Sequence, residues 1–154
     1  MIAKIRKHPL ARAVRPDKLR LAALNATLLH YLKGEAVQKI PIWRMIATPL
    51  HELQARASAW QQALGWGEVQ PGLSTIGGGC LPEETLPTAL FTLRLAQPNG
   101  WLAWLRAQNP PIIARIEAQC LALDPRTVLP EQEAPLLRVL ADLHTLHNSP
   151  KGAK

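Results

Sequence analysis

Proline and glycine divide this chain into short pieces, and that division limits the folds open to it. Fourteen prolines and nine glycines are spread along 154 residues and stand between apolar-patterned stretches, not in one proline-rich tract. Proline fixes φ and removes a backbone donor, while glycine enters left-handed backbone freely, so both mark element ends. The longest stretch free of either runs between Pro16 and Gly34. Leu21, Leu24, Leu28 and Leu32 recur there at spacings of three and four, which makes one helical stripe. Pro16 suits a first turn, Asp17 complements the helix dipole, and Gly34 suits the left-handed position after the last turn. The spacing predicts a helix over residues 16–33.

The same reasoning predicts a second helix. Thr48 is its cap, Pro49 its first residue, Leu50, Leu53, Ala57, Trp60 and Leu64 its apolar face, and Gly65 its end. A brief helix around Ile40, Ile42 and Met45 fills the gap. After Gly67 the pattern changes to short strands, 68–70 and 74–76, separated by Pro71-Gly72. A strand over 88–95 follows, then a helix over 101–108 entered through Pro98-Asn99-Gly100. Segments 112–117 and 119–123 read as a hairpin. Pro130 opens a last helix with Leu136, Leu140 and Leu143 inward. Helices mixed with hairpin-linked strands predict an α+β domain, a small and largely antiparallel sheet covered by helices.

Composition excludes several classes. Apolar residues make up 47% and charged residues 19%, which is enough to bury one modest core. No apolar run approaches the ~20 residues a membrane-spanning helix needs. The opening MIAKIRKHPLARAVR is basic without an apolar segment or small-residue cleavage site, so it does not read as a secretory signal. Cys80 and Cys120 lie far apart and form no paired spacing, which favours free thiols in a reducing cytoplasm over a disulfide or metal site.

The charge is concentrated. The net charge is +7, and residues 1–20 hold Lys4, Arg6, Lys7, Arg12, Arg15, Lys18 and Arg20 against Asp17 alone. Such a field attracts phosphate, nucleic acid or an anionic substrate, although a solvated basic helix end carries the same pattern. Arg12 and Arg15 stand three apart, so on a helical turn they point the same way. Two adjacent guanidinium forks grip an oxyanion bidentately; on spacing alone, a pair of solvated surface arginines is the competing reading.

The run HPLARAVRPDKLRLAALNATLLHYL, residues 8–32, resembles the pattern HPLxRAxRxDKxxLAALxATLxxYL of bacterial selenocysteine synthases, the L-seryl-tRNA(Sec) selenium transferases. Further motifs follow in the same order. Residues 40–46 resemble IPxxRML, 74–82 resemble SxxGGGSLP, 110–116 resemble PPVIGRI, and 123–130 resemble LDLRTVLP. An ordered set over roughly residues 1–143 is far more specific than any single motif. The resemblance implies an aspartate-aminotransferase-like fold with pyridoxal phosphate held on a lysine. It also implies conversion of seryl-tRNA(Sec) to selenocysteinyl-tRNA(Sec) with selenophosphate, in a cytoplasmic ring-like homo-oligomer. Residues 1–34 become a basic segment and long linking helix from the large domain, 35–147 the C-terminal small domain, and 148–154 a flexible tail. Arg12 and Arg15 become the ligands of the selenophosphate anion, in agreement with the charge.

The family's cofactor lysine lies in a GGDKLLGGPQAG-like stretch upstream of the HPL motif, and Met1 stands only seven residues before His8. The resemblance therefore implies a C-terminal portion with no catalytic, cofactor-binding or metal-binding residue of its own, inactive by itself. Lys18 belongs to the DK pair at the helix start and reads as a solvated lysine. A non-catalytic RNA- or protein-interaction module derived from the same fold is the alternative. Weaker candidates are the Gly77-Gly78-Gly79 turn, Arg115 as a carboxylate ligand by analogy or a structural ion pair, and His144 with His147. Cys80 stands where the family has serine. Trp101 and Trp104 read as core filler, with an exposed aromatic face as the alternative.

Overall fold

The computed structural model describes residues 2–77 and 84–149. It contains two compact units, Met1–Arg44 and Met45–Lys154. The first is helical: α1 (Ile2–Arg6), α2 (Leu10–Ala13), α3 (Lys18–Leu32) and α4 (Ala36–Lys39), with α5 (Pro41–Ala47) at the boundary. Asp17 caps α3, its carboxylate accepting the Arg20 N–H at 2.9 Å, and Gly34 takes φ 71° just past its end. The C-terminal end therefore stands where the sequence puts it, whereas the helix starts at Lys18, with Asp17 as its cap and Pro16 before it rather than in its first turn. His30 Nδ1 lies 2.8 Å from Glu35 Oε1 and ties the end of α3 to the start of α4. The Trp43 indole donates to the Tyr31 hydroxyl.

The leucine stripe of α3 forms but covers no core. Leu21, Leu24, Leu28 and Leu32 are 49, 55, 50 and 84% exposed, and no residue of α3 is buried.

The second unit holds the core. Its elements are α6 (Leu50–Leu64), β1 (Glu68–Thr75), β2 (Thr85–Leu93), α7 (Pro98–Arg106), β3 (Arg115–Glu117), β4 (Cys120–Leu123) and α8 (Glu133–Asn148), with 3-10 turns at Pro125–Thr127 and Pro130–Gln132. The strands form one antiparallel sheet in the order β1-β2-β4-β3. This is the predicted α+β class. Trp60 of α6, Phe91 and Leu93 of β2, Leu105 of α7, Leu121 of β4, and Leu140 and Leu143 of α8 meet in the core. Trp60 meets Phe91 edge to face at 6.2 Å. Leu53 and Ala57 of α6 close over Ala89.

Several expectations need correction: the helix expected over 101–108 runs Pro98–Arg106, with Pro98-Asn99-Gly100 as its first turn, and the strand expected over 88–95 runs Thr85–Leu93. Segments 68–70 and 74–76 are one strand, β1, which runs through Pro71-Gly72 with Pro71 opposite Ala89 and Gly72 opposite Thr88. β1 is an edge strand, where a missing N–H is tolerated, and a Cβ on Gly72 would collide with the Leu90 side chain. Pro49, not Thr48, occupies the cap position of α6, although Gly65 ends it at φ 69° as predicted. The last helix proper starts at Glu133, after a 3-10 turn opened by Pro130, with Leu136, Leu140 and Leu143 buried.

The β3–β4 hairpin pairs Glu117 with Cys120 across Ala118 and Gln119, both at positive φ (47° and 63°). That is the backbone of a tight two-residue hairpin turn. The tail from Pro150 onward and residues 78–83, which include Gly78, Gly79 and Cys80, lie outside the described residues.

Candidate functional site

The basic N-terminal unit presents the candidate anion site. His8 Nδ1 accepts the Leu10 N–H at 3.2 Å and steadies the start of α2. Arg12 stands in the last turn of α2, and the Arg15 N–H reaches the Arg12 carbonyl at 3.4 Å. One backbone turn thus carries both residues. Both side chains are exposed, and neither makes an ion pair or side-chain hydrogen bond among the described residues.

The nearest carboxylate in sequence is committed elsewhere. Asp17 accepts the Arg20 N–H and pairs with the Arg20 guanidinium at 3.3 Å. Met1–Arg44 carry ten lysines and arginines against Asp17 and Glu35, so the field around Arg12 and Arg15 is strongly positive. An apolar groove of about 320 Å³ lies on this unit, lined by Lys4, Ile5, His8, Leu10, Ala11 and Val14. Neither arginine lines it. Two exposed guanidiniums on one turn without a carboxylate can take an oxyanion from solvent; the wall of a closed pocket is not among their neighbours.

The weaker candidates resolve into structural roles. Arg115 Nε donates to Glu117 at 2.9 Å, and its second amine donates to the Leu73 carbonyl at 2.9 Å, an ion pair with a backbone tie. His144 stacks on Trp66 at 4.3 Å, while His147 meets Trp101 edge to face at 6.0 Å. Among the described residues no three metal-ligating side chains come together. Cys120 is a buried free thiol. Lys18 is exposed at the start of α3. Trp101 and Trp104 pack at the margin of the core, half-buried, not within it.

The polar centre that sequence reasoning missed is Arg126. It is 7% exposed and sits on the 3-10 turn after β4. Its guanidinium donates to the carbonyls of Met45 (2.9 Å), Ile46 (3.2 Å), Thr48 (2.9 Å) and Pro87 (2.7 Å), and to the Ser74 hydroxyl at 3.1 Å. Asp124 completes the network, accepting from Ser74 (2.6 Å), Thr88 (2.8 Å) and the Arg126 N–H (3.0 Å). Burial pulls the Arg126 guanidinium below its ordinary value, and the charge of Asp124 pushes back. The usable signal was Asp124-Pro125, an acid placed to cap a turn opened by proline.

A family model described as L-seryl-tRNA selenium transferase matches residues 1–129. A protein of Desulfovibrio desulfuricans named L-seryl-tRNA(Sec) selenium transferase is 39% identical over 155 residues, covering 92% of this chain and 33% of its own length. Proteins of the same name from Hyphomonas neptunium and Carboxydothermus hydrogenoformans are 39% and 35% identical, covering 84% and 93% of this chain and 30% and 32% of their own. The chain spans about a third of the length of these curated relatives.

Proposed function

We propose that this chain, which belongs to the L-seryl-tRNA selenium transferase family, supplies the basic segment that binds the anionic selenium donor of a selenocysteine-forming enzyme. Arg12 and Arg15 are the ligands. The observation that carries the reading is their electrostatic isolation: two exposed guanidiniums on one turn, with Asp17 turned to Arg20 and the α3 cap. Guanidinium forks suit a tetrahedral oxyanion, and selenophosphate is one. In the intact enzyme the reaction exchanges the serine hydroxyl of seryl-tRNA(Sec) for the selenium of selenophosphate, the C–O and Se–P bonds breaking as the C–Se bond forms, and gives selenocysteinyl-tRNA(Sec) and inorganic phosphate. The arginines bind and orient the donor and neutralise its charge.

On this reading the sheet-bearing unit corresponds to the C-terminal small domain of an aspartate-aminotransferase-like enzyme. Residues 1–34 correspond to the basic segment and linking helix, and the assembly is a cytoplasmic homo-oligomer. The resemblance brings pyridoxal phosphate with it. A Schiff-base lysine needs a shielded amine, and Lys4, Lys7, Lys18, Lys33 and Lys39 are all exposed. The described residues do not fit that group, and its attachment is assigned to other parts of the intact enzyme.

A chimera tests the proposal. The matching third of the Desulfovibrio desulfuricans relative is replaced by this chain, and selenocysteinyl-tRNA formation is followed at varied selenophosphate. Activity that falls with a raised selenophosphate KM on Arg12→Ala and Arg15→Ala supports the assignment. A chimera whose activity ignores both substitutions sinks it.

A further inference from the structure

We infer that α3 is a docking helix for the rest of a family polypeptide: the part of a selenium transferase that this chain does not span closes around the helix and buries it. The inference deepens the reading above, since it rests on this chain being one part of a larger enzyme.

The leucines of α3 do not keep to one side. At about 3.6 residues per turn, Leu28 stands opposite Leu19, with Leu21, Leu24 and Leu32 around Leu28, and Leu29 between the two sides. Ala22, Ala23 and Ala26 surround Leu19. All of these leucines are exposed. A helix that is apolar all round belongs in an interior, and soluble surfaces rarely leave large apolar patches bare.

The polar side chains are compatible with burial. The Thr27 hydroxyl donates to the Ala23 carbonyl at 3.0 Å, His30 is held by Glu35, and the Tyr31 hydroxyl accepts from the Trp43 indole. Lys18 and Arg20 stand at the N-terminal end of the helix, where their charges can stay in water. Asn25 makes no hydrogen bond among the described residues and keeps its amide for the partner.

Geometry selects the occupant. A second copy offers another helix, which covers a single seam. A membrane surface covers one face and favours charge on the other, whereas the side opposite Leu28 carries Leu19 and alanines. A helix apolar all round calls for elements on several sides. The described residues of this chain bury no residue of α3. The match covers only 33% and 30% of the length of two relatives, so a family polypeptide brings about twice as much chain again, enough for a domain with its own core.

Hydrogen exchange of the α3 amides tests this, in the 154-residue chain alone and in the chimera described above. In the chimera α3 should exchange about 100-fold more slowly or better, while the amides of β2 and β4 change little. Co-expression of this chain with the unmatched part of the same relative, as a separate polypeptide, should give a complex captured through a tag on this chain. Leu24→Glu with Leu28→Glu should abolish both the capture and the protection. It should leave the melting of the isolated chain's sheet-bearing unit unchanged. Leu24→Met with Leu28→Met should keep both.

Equal α3 exchange in chimera and isolated chain overturns the docking, and so does a complex indifferent to the glutamates. A dimer of the isolated chain that the glutamates dissolve assigns the helix to a second copy, and leucine-dependent binding to vesicles of anionic phospholipid assigns it to a membrane; either overturns the inference. An arginine-dependent chimera with an unprotected α3 removes only the docking helix, whereas an arginine-insensitive chimera with a protected α3 removes only the donor site.

Discussion

The guanidinium of Arg115, on edge strand β3, donates to the backbone carbonyl of Leu73 on the opposite edge strand β1 at 2.9 Å. The first and last strands of the four-stranded sheet are thereby tied to each other, and Glu117 holds the same guanidinium at 2.9 Å. Replacement by alanine should cost about 0.5–1.5 kcal/mol, measured by urea denaturation. Hydrogen exchange should quicken along β1. In the chimera this variant should leave the KM for seryl-tRNA unchanged; a raised KM would assign Arg115 to substrate binding instead.

Arg126 should be far less tolerant. Alanine there leaves Asp124 buried and deprives four carbonyls of a donor, at a cost of about 3–5 kcal/mol. Equilibrium unfolding checks the value. A loss under 1 kcal/mol would mean that water replaces the network.

Arg12→Ala with Arg15→Ala should leave stability unchanged within about 0.5 kcal/mol, read as the melting temperature, because both side chains are exposed and make no pair among the described residues. On the proposed reading their effect falls on anion binding. A marked loss of stability would show that the arginines serve the fold.

Glu35 carries a pH signature. The hydrogen bond from His30 holds its carboxyl below the ordinary glutamate value; desolvation opposes it, and the charges of Lys33 and Lys39 act in the same direction as His30. A depressed folded value contributes stability that is complete above the ordinary glutamate value and is lost as pH falls through the lower folded value. Helix content at the α3–α4 junction should therefore drop on acidification through that window, followed by NMR chemical shifts. Glu35→Gln should abolish the dependence.

The β3–β4 turn is open to improvement. Ala118 and Gln119 hold positive φ without the residues that favour it. Asn at 118 and Gly at 119 should together raise stability by about 1 kcal/mol, read as a higher melting temperature.

Much of this was legible wherever a local signal was strong. Asp17 and Gly34 bracket α3, Gly65 ends α6, and the inward leucines of α8 follow their spacing. Pro71-Gly72 misled because it reads as a turn, yet an edge strand accepts the proline and the glycine admits Leu90. Asp124-Pro125 signalled the capped turn, but the reach of Arg126 was not readable, because four of its acceptors are carbonyls about 40 to 80 positions distant, and carbonyls have no sequence signature. The α3 stripe was readable as a pattern, but periodicity alone does not say whether a core lies against it. Arg12 and Arg15 were singled out from charge and motif, and the fold adds to them the shared backbone turn.

A helix of fifteen residues with nothing buried sits near the limit at which helices persist in water. Calorimetry of the isolated chain should record one sharp transition from Met45–Lys154 and a broad, weakly cooperative melt from the leucine-rich helix. That helix follows directly on the turn that carries Arg12 and Arg15, so its sequence should answer to what it touches and not to what it packs.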